Sequence, residues 1–288
     1  MAGAGHPGFE LVVATVDRTA ELDRLLDSLE RQTHRSFRVL VVDQSEDDRI
    51  VPVLDRHPSL DLLRLRSHRG LSRARNVGLA EVGADLVAFP DDDCVFPADL
   101  LERVARRFAA SPGLDGLTGR SVDEARAASP SWARDGAVLT RTNLWNRAIS
   151  FGIFLRRSAV EQVGHFDERL GLGSGTPWSS GEEIDYLVRA VDSGARIEYD
   201  PNLVVVHPSR PLSAAGLRAV GFRDGASVGY ILRKHRYSLR TVARMLVRPA
   251  GGTLLSLARG DLTRARFHAS TLRGRIVGLR SGALEGIE

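Results

Sequence analysis

The 288-residue chain can bury one large core with an appendage, and its 43% hydrophobic and 26% charged residues are ordinary for a globular protein. Its single cysteine, Cys94, excludes an internal disulfide and fits a reducing compartment. The net charge of +4 hides an asymmetry: from Ser209 onward there are 14 Arg and one Lys against two Asp and two Glu, a local +11, which leaves −7 on residues 1–208. An acidic body with a basic tail points to a polyanionic partner or surface. No run approaches the ~18 apolar residues of a membrane-spanning helix. Residues 1–10 show no basic and apolar signal-peptide regions, so a cytoplasmic protein is expected, peripheral on the inner face of the membrane if the tail binds lipid.

In chain order, Leu11–Thr15 reads as a buried strand. Leu22, Leu25, Leu26 and Leu29 then fall on one helical face. Val39–Val42 is a second strand, ending at Asp43 and a polar turn. Leu60–Leu65 is a third strand, Gly70–Ala80 a helix, and Asp85–Phe89 a fourth strand that runs into Pro90 and Asp91-Asp92-Asp93. Leu100, Leu101, Val104 and Phe108 mark the next helix. The alternation predicts a doubly wound α/β unit with parallel strands, whose strand C-terminal ends form the ligand side. Residues 112–146 are expected to hold a sheet extension and a mobile loop. Ser150–Leu155 reads as a strand, Ala159–Val163 as a short helix, and Gly171, Gly173 and Gly175 as a flexible loop. A helix from about Glu182 carries Ile184, Leu187, Val188 and Val191 on one face. Ile197–Tyr199 and Leu203–Val206 are strands, the latter delivering His207, and from Ala214 the chain reads as helical, basic and amphipathic. The division expected is a catalytic region over 1–208, with halves at about 10–110 and 111–208, and a helical extension over 209–288.

Three aspartates crowd the mouth of the fourth strand, and a nearby cation relieves their mutual repulsion. Mg²⁺ and Mn²⁺ take oxygen ligands from one or two carboxylates together with substrate phosphates. Asp91 and Asp93 have the D-x-D spacing, and in extended chain i and i+2 side chains point the same way. One of them can face the metal and the other the ribose or a metal-bound water. The competing reading is a solvated acidic turn, because Asp favours turns.

Several segments together resemble family 2 glycosyltransferases. Val12-Val13-Ala14-Thr15-Val16-Asp17-Arg18 looks like the family's first strand and nucleotide loop, and Val41-Val42-Asp43-Gln44-Ser45 like its second strand. Gly70-Leu71-Ser72-Arg73-Ala74-Arg75-Asn76-Val77-Gly78 resembles its G-x-S-x-A-R-N-x-G segment, and Phe89-Pro90-Asp91-Asp92-Asp93 its D-x-D strand end. Gly181-Glu182-Glu183-Ile184-Asp185-Tyr186-Leu187-Val188-Arg189 resembles its G-E-D-x-D-L-x-x-R helix start. The resemblance covers roughly residues 10–208. It implies a GT-A fold, a UDP-, GDP- or dTDP-sugar donor, Mn²⁺ or Mg²⁺, and transfer with inversion at the anomeric carbon. One position departs: the family's usual base is the Asp of E-D, and Glu183 stands there, so the base is Glu183 or Glu182.

The roles this implies are specific. Asp93 is the metal ligand, with Asp91 sharing it, and His207 completes the shell or is merely structural. Asp91 or Asp92 serves the donor ribose. Asp43 accepts from the base's N–H or ends a strand; Thr15 and Asp17 line the nucleoside pocket, unless Asp17 caps the first helix. Arg75 contacts the diphosphate or forms a salt bridge. Trp178 stacks on the acceptor or anchors its loop. Asp185 and Arg189 are expected as a helix-surface pair.

In the tail, Arg233, Lys234, His235, Arg236, Arg240, Arg244 and Arg248 are interleaved with Leu232, Leu239, Met245 and Leu246. A basic amphipathic helix reads as a membrane-surface element, within reach of a lipid-linked acceptor, or as an appendage packed on the catalytic region. No nucleic-acid motif is present, so no nucleic-acid partner is expected. Two other functions fit an α/β fold with acidic residues. A sugar-phosphate nucleotidyltransferase needs a Gly-rich loop after the first strand, and Val16–Ala20 has none. A binding module without turnover is favoured only by Glu183.

Overall fold

The computed structural model describes residues 8–129, 131–208 and 211–281. Cα packing divides the chain into two units. One contains the chain up to Phe166 and then the stretch from Tyr186 to the end of the sheet; the other contains Asp167–Asp185 and the chain beyond 210. The segment 167–185, which the sequence reading assigns to the catalytic region, thus packs with the C-terminal helices.

The first unit alternates strands and helices: β1 (Phe9–Thr15), α1 (Ala20–Glu30), β2 (Phe37–Asp43), α2 (Val51–Leu54), β3 (Leu62–Arg66), α3 (Leu71–Leu79), β4 (Leu86–Ala88) and α4 (Leu100–Ala110). There follow β5 (Gly116–Val122), β6 (Ala137–Val138), β7 (Ile153–Arg156), α5 (Arg157–Val163), α6 (Glu182–Asp192), whose first turn belongs to the second unit, and β8 (Ile197–Val206). The sheet order is β3-β2-β1-β4-β7-β5-β8-β6. The apolar runs of β1 and β2 are buried along almost their whole length, as strands covered on both faces must be. Leu22, Leu25, Leu26 and Leu29 of α1 are fully buried in the same core as Val39, Leu86, Leu101 and Phe154.

β1 to β4 are parallel, as the alternation predicts. Successive crossovers run outward from β1 to β2 and β3, and then return to place β4 on its other side. This is a topological switch point, where loops diverge and leave a crevice at the strand ends. Beyond β4, β7 is inserted antiparallel between β4 and β5. The strand expected over Ser150–Leu155 begins only at Ile153, because Ser150–Gly152 forms a 3₁₀ turn. The two strands expected around Pro201 are one strand, β8, whose register slips opposite Thr118 and Arg120.

The second unit holds Asp167–Asp185 and three helices, α7 (Ala214–Lys234), α8 (Leu239–Ala258) and α9 (Leu262–Leu279). Glycine decides how closely α7 and α9 approach. A Cβ at Gly229 would collide with the Arg275 carbonyl, and one at Gly278 with the Ala226 carbonyl. Among the described residues no helix is long and apolar enough to cross a membrane.

Candidate active site

The loops after β1 and β4 meet because those strands are parallel neighbours. Asp91, three residues past the end of β4, continues its pairing with β1 by a bridge to Ala14, so the acidic run opens at the switch point. Asp92 and Asp93 then lie in a turn closed by the Cys94 N–H on the Asp91 carbonyl, and this turn sets where the three carboxylates go. Asp92 turns toward β1, where it accepts from Thr15 Oγ1 at 2.7 Å and from Arg18 Nη1 at 2.8 Å. Asp91 and Asp93 converge with His207, so that one ligand atom from each lies within 4.8 Å of the others.

Asp93 has a partner on each carboxylate oxygen. Its Oδ2 takes Arg18 Nη1 at 2.9 Å and its Oδ1 faces His207 Nε2 at 3.0 Å. His207 and then Arg18 hold the Asp93 carboxyl down to about 2 against the opposing effect of burial. Asp93 correspondingly raises the His207 pKa, and the imidazole lies flat on Phe151 with ring centres 4.9 Å apart. Asp92 shifts upward instead, because burial outweighs its bonds to Thr15 and Arg18. Asp91 stays partly open to solvent, within 3.1 Å of Arg75 Nη2 and 3.3 Å of Ser150 Oγ.

Two carboxylates and one imidazole make a donor set that fits Mn²⁺ or Mg²⁺, with Mn²⁺ better matched to the nitrogen ligand. Arg18 bridges Asp92 and Asp93 through Nη1, while Arg75 pairs with Asp91. Arg18 came through the sequence reading only as part of the β1 loop. The available signal was a basic side chain in that loop opposite an acidic run in the next parallel loop.

Arg75 is 1% exposed, with its guanidinium 5.5 Å from the Phe166 ring centre and 5.9 Å from that of Phe89. Of its two expected roles the geometry displays the salt bridge, to Asp91. Asp43 is fully buried. Its Oδ2 accepts from Arg64 and Arg66 at 2.8 and 2.7 Å, and its Oδ1 from the Ser45 N–H at 2.9 Å. Asp17 does not cap α1, whose N-cap is Thr19. It adopts a left-handed backbone (φ 56°), pairs with Arg69 at 2.7 Å and Arg49 at 3.4 Å, and donates its backbone N–H to the Ser45 hydroxyl at 3.0 Å. A cleft of about 340 Å³ adjoins His207, with Ser121, Asp123 and Ser129 among its lining residues.

In the second unit, Gly181 (φ 75°) turns the chain into α6, so Glu182 and Glu183 occupy the first helical turn, where negative charge is favoured. Glu182 is buried and Glu183 half-buried. Asp185 is fully buried, not at the helix surface as expected, and sits 2.7 Å from Lys234 Nζ and 2.8 Å from His235 Nε2. Lys234 also reaches Asp167 at 2.8 Å. Asp167 lies well below the usual carboxylate range, because Arg169 and Lys234 outweigh its burial. Two basic residues of the tail are thus internal partners. Trp178 is buried with its ring stacked 4.9 Å from that of Tyr230, so one face of the indole is taken by its own unit.

The parallel four-strand half, the switch-point crevice and the D-x-D cluster define the nucleotide-sugar-using glycosyltransferases of GT-A fold. The profile of glycosyl transferase family 2 matches residues 10–163, and the chain belongs to that family. It is 28% identical over 249 residues to a pre-mycofactocin glycosyltransferase of Mycobacterium tuberculosis. That alignment covers 81% of this chain and 49% of the relative, so the chain spans about half the length of that curated relative. It is 25% identical over 248 residues to the glycosyltransferase AglE of Haloferax volcanii, covering 82% of this chain and 78% of that one. Among solved structures, the mannosyltransferase PcManGT of Pyrobaculum calidifontis, in complex with GDP-Man and Mn²⁺, has the same fold. It superposes with a TM-score of 0.67 at 18% identity, over 96% of this chain and 88% of that one. S. aureus TarS 1–349 with UDP-GlcNAc gives 0.60 at 17% identity, over 96% and 92%.

Proposed function

We propose that this family 2 glycosyltransferase moves a sugar from a nucleoside-diphosphate donor to an acceptor hydroxyl, with inversion at the anomeric carbon. The observation that carries the reading is the convergence of Asp91, Asp93 and His207 beside Arg18 at the switch point. Asp93, Asp91 and His207 would hold Mn²⁺ or Mg²⁺, which supplies charge relief on the departing diphosphate. Thr15, Asp17 and the Arg64–Asp43–Ser45 group shape the nucleoside pocket, and Asp92 serves the ribose. Arg75 orients Asp91 through their salt bridge. Glu183 takes the acceptor proton as the acceptor oxygen bonds to the anomeric carbon and the bond to the diphosphate oxygen breaks. Glu182, more deeply buried, positions the start of α6. Hydroxyls and a carboxylate in the cleft beside His207 suit a polyol such as the donor sugar. Trp178 shapes the acceptor side through its anchored loop. The acceptor is a glycan or lipid-linked sugar of the cell envelope, and the basic C-terminal region keeps the enzyme at the inner membrane face.

Calorimetry with UDP and GDP, with and without Mn²⁺, tests the donor side. Metal-dependent binding of one of them is expected, and absence of any such binding overturns the reading. Slow hydrolysis of the matching donor should disappear in Glu183→Gln while nucleotide affinity is kept. Unchanged hydrolysis would remove Glu183 as the base.

A further inference from the structure

The face of α8 turned to solvent is unlike the rest of the surface. Among the described residues, six of the nine exposed large hydrophobic side chains lie between Leu239 and Leu262. Leu239 is 86% exposed, Leu254 69% and Val247 68%. At 3.6 residues per turn, Leu239, Val247, Leu254 and Leu257 share one strip of the helix. Arg240, Arg244 and Arg248, at i, i+4 and i+8, form the adjoining strip. The opposite side faces inward, with Pro249 and Ser256 buried and Gly252 against His268 of α9. α8 contains no Asp or Glu, and no carboxylate among the described residues pairs with its three arginines.

Such a face needs an occupant that accepts apolar chains and positive charge side by side. A second copy of the chain does not: it would set arginine rows against each other, with 14 basic and two acidic residues over 211–281. An anionic bilayer does, because leucines enter the acyl boundary while guanidinium groups bind headgroup phosphates. We infer that the Leu239–Leu257 face of α8 is a membrane-docking surface for anionic lipid. The inference deepens the reading of a lipid-linked acceptor and rests on it for its purpose, but not for its chemistry.

The test is co-sedimentation of the full chain with vesicles of phosphatidylcholine alone, or with about one-third phosphatidylglycerol. Binding is expected only to the anionic vesicles and should weaken with salt. Leu254→Glu with Leu255→Glu should lower partitioning at least about tenfold. Arg240→Gln, Arg244→Gln and Arg248→Gln together should lower it on the order of a hundredfold. Both variants should keep the circular dichroism and nucleotide affinity of the parent. No binding to anionic vesicles at low salt overturns the inference. So does parental binding by the variants, or a leucine variant that only converts a dimer to a monomer. Loss of nucleotide binding in the parent chain would instead strike the transferase reading and leave the vesicle result standing.

Discussion

Asp93→Asn offers a quantitative test of the site before any substrate is known. The Asp93 side chain is 10% exposed and lies between Arg18 at 2.9 Å and His207 at 3.0 Å. These partners lower its pKa from 3.8 to about 2. A tenfold change in proton affinity is worth about 1.4 kcal/mol, so the ionised Asp93 stabilises the metal-free fold by about 2 kcal/mol. The folded pKa is depressed, so this stability is present above 3.8 and is lost as pH falls through about 2. His207 has the opposite sign: its pKa is raised, so its contribution is present below 6.5 and is lost as pH rises through the folded value. The gap between the parent and Asp93→Asn should therefore be widest between about pH 4 and pH 7 and close on the acid side. Urea unfolding in EDTA at a series of pH values, followed by tryptophan fluorescence, measures it. Equal stability at about pH 5.5, or a gap that stays constant down to about pH 3, would refute the assignment. Added Mn²⁺ should then stabilise the parent and leave the variant unmoved.

Two further outcomes follow from other parts of the molecule. Metal binding needs a neutral His207, and Asp93 favours its protonated form, so Mn²⁺ affinity should fall about tenfold per pH unit below the raised pKa. Free Mn²⁺ measured by electron paramagnetic resonance reports this, and His207→Ala should bind more weakly without that pH dependence. Gly278→Ala should cost about 2 kcal/mol or more, because its Cβ runs into the Ala226 carbonyl and the Tyr230 N–H, backbone atoms that cannot step aside. Thermal unfolding checks it, and an unchanged midpoint would mean that α7 and α9 are not held at this spacing.

Much of the first unit was legible in the chain. The runs Leu11–Thr15 and Val39–Val42 are short, rich in valine and followed by polar turn residues, which marks them as buried strands, and the leucines of α1 repeat at helical spacing. Asp91 and Asp93 do converge, with His207, but through a turn at Asp92 and Asp93 and not through the extended chain that their spacing suggests. Apart from that turn, what failed was what depends on neighbours distant in sequence. Asp185 and Arg189 have helix-surface spacing, yet Asp185 is buried by Lys234 and His235, some fifty positions away. The Ser150–Leu155 run has strand composition, yet its first residues turn so that Ser150 faces Asp91. The basic tail read as one charged surface, but Lys234 and His235 point inward, and Arg275, brought down to about 10 by burial, does so too.

By itself the sequence determined most strands and helices of the first unit, that the first four strands run parallel, and that the acidic run stands at a strand mouth. Periodicity and composition encode these directly, because burial selects apolar residues at the period of each element. Only the tertiary structure decided that Arg18 and His207 are the partners of Asp93, that Arg75 is sealed between two aromatic rings behind Asp91, and that the apolar chains of α8 face outward. Those are facts about which surfaces meet, and a helical period states that one face differs from the other without stating what covers it.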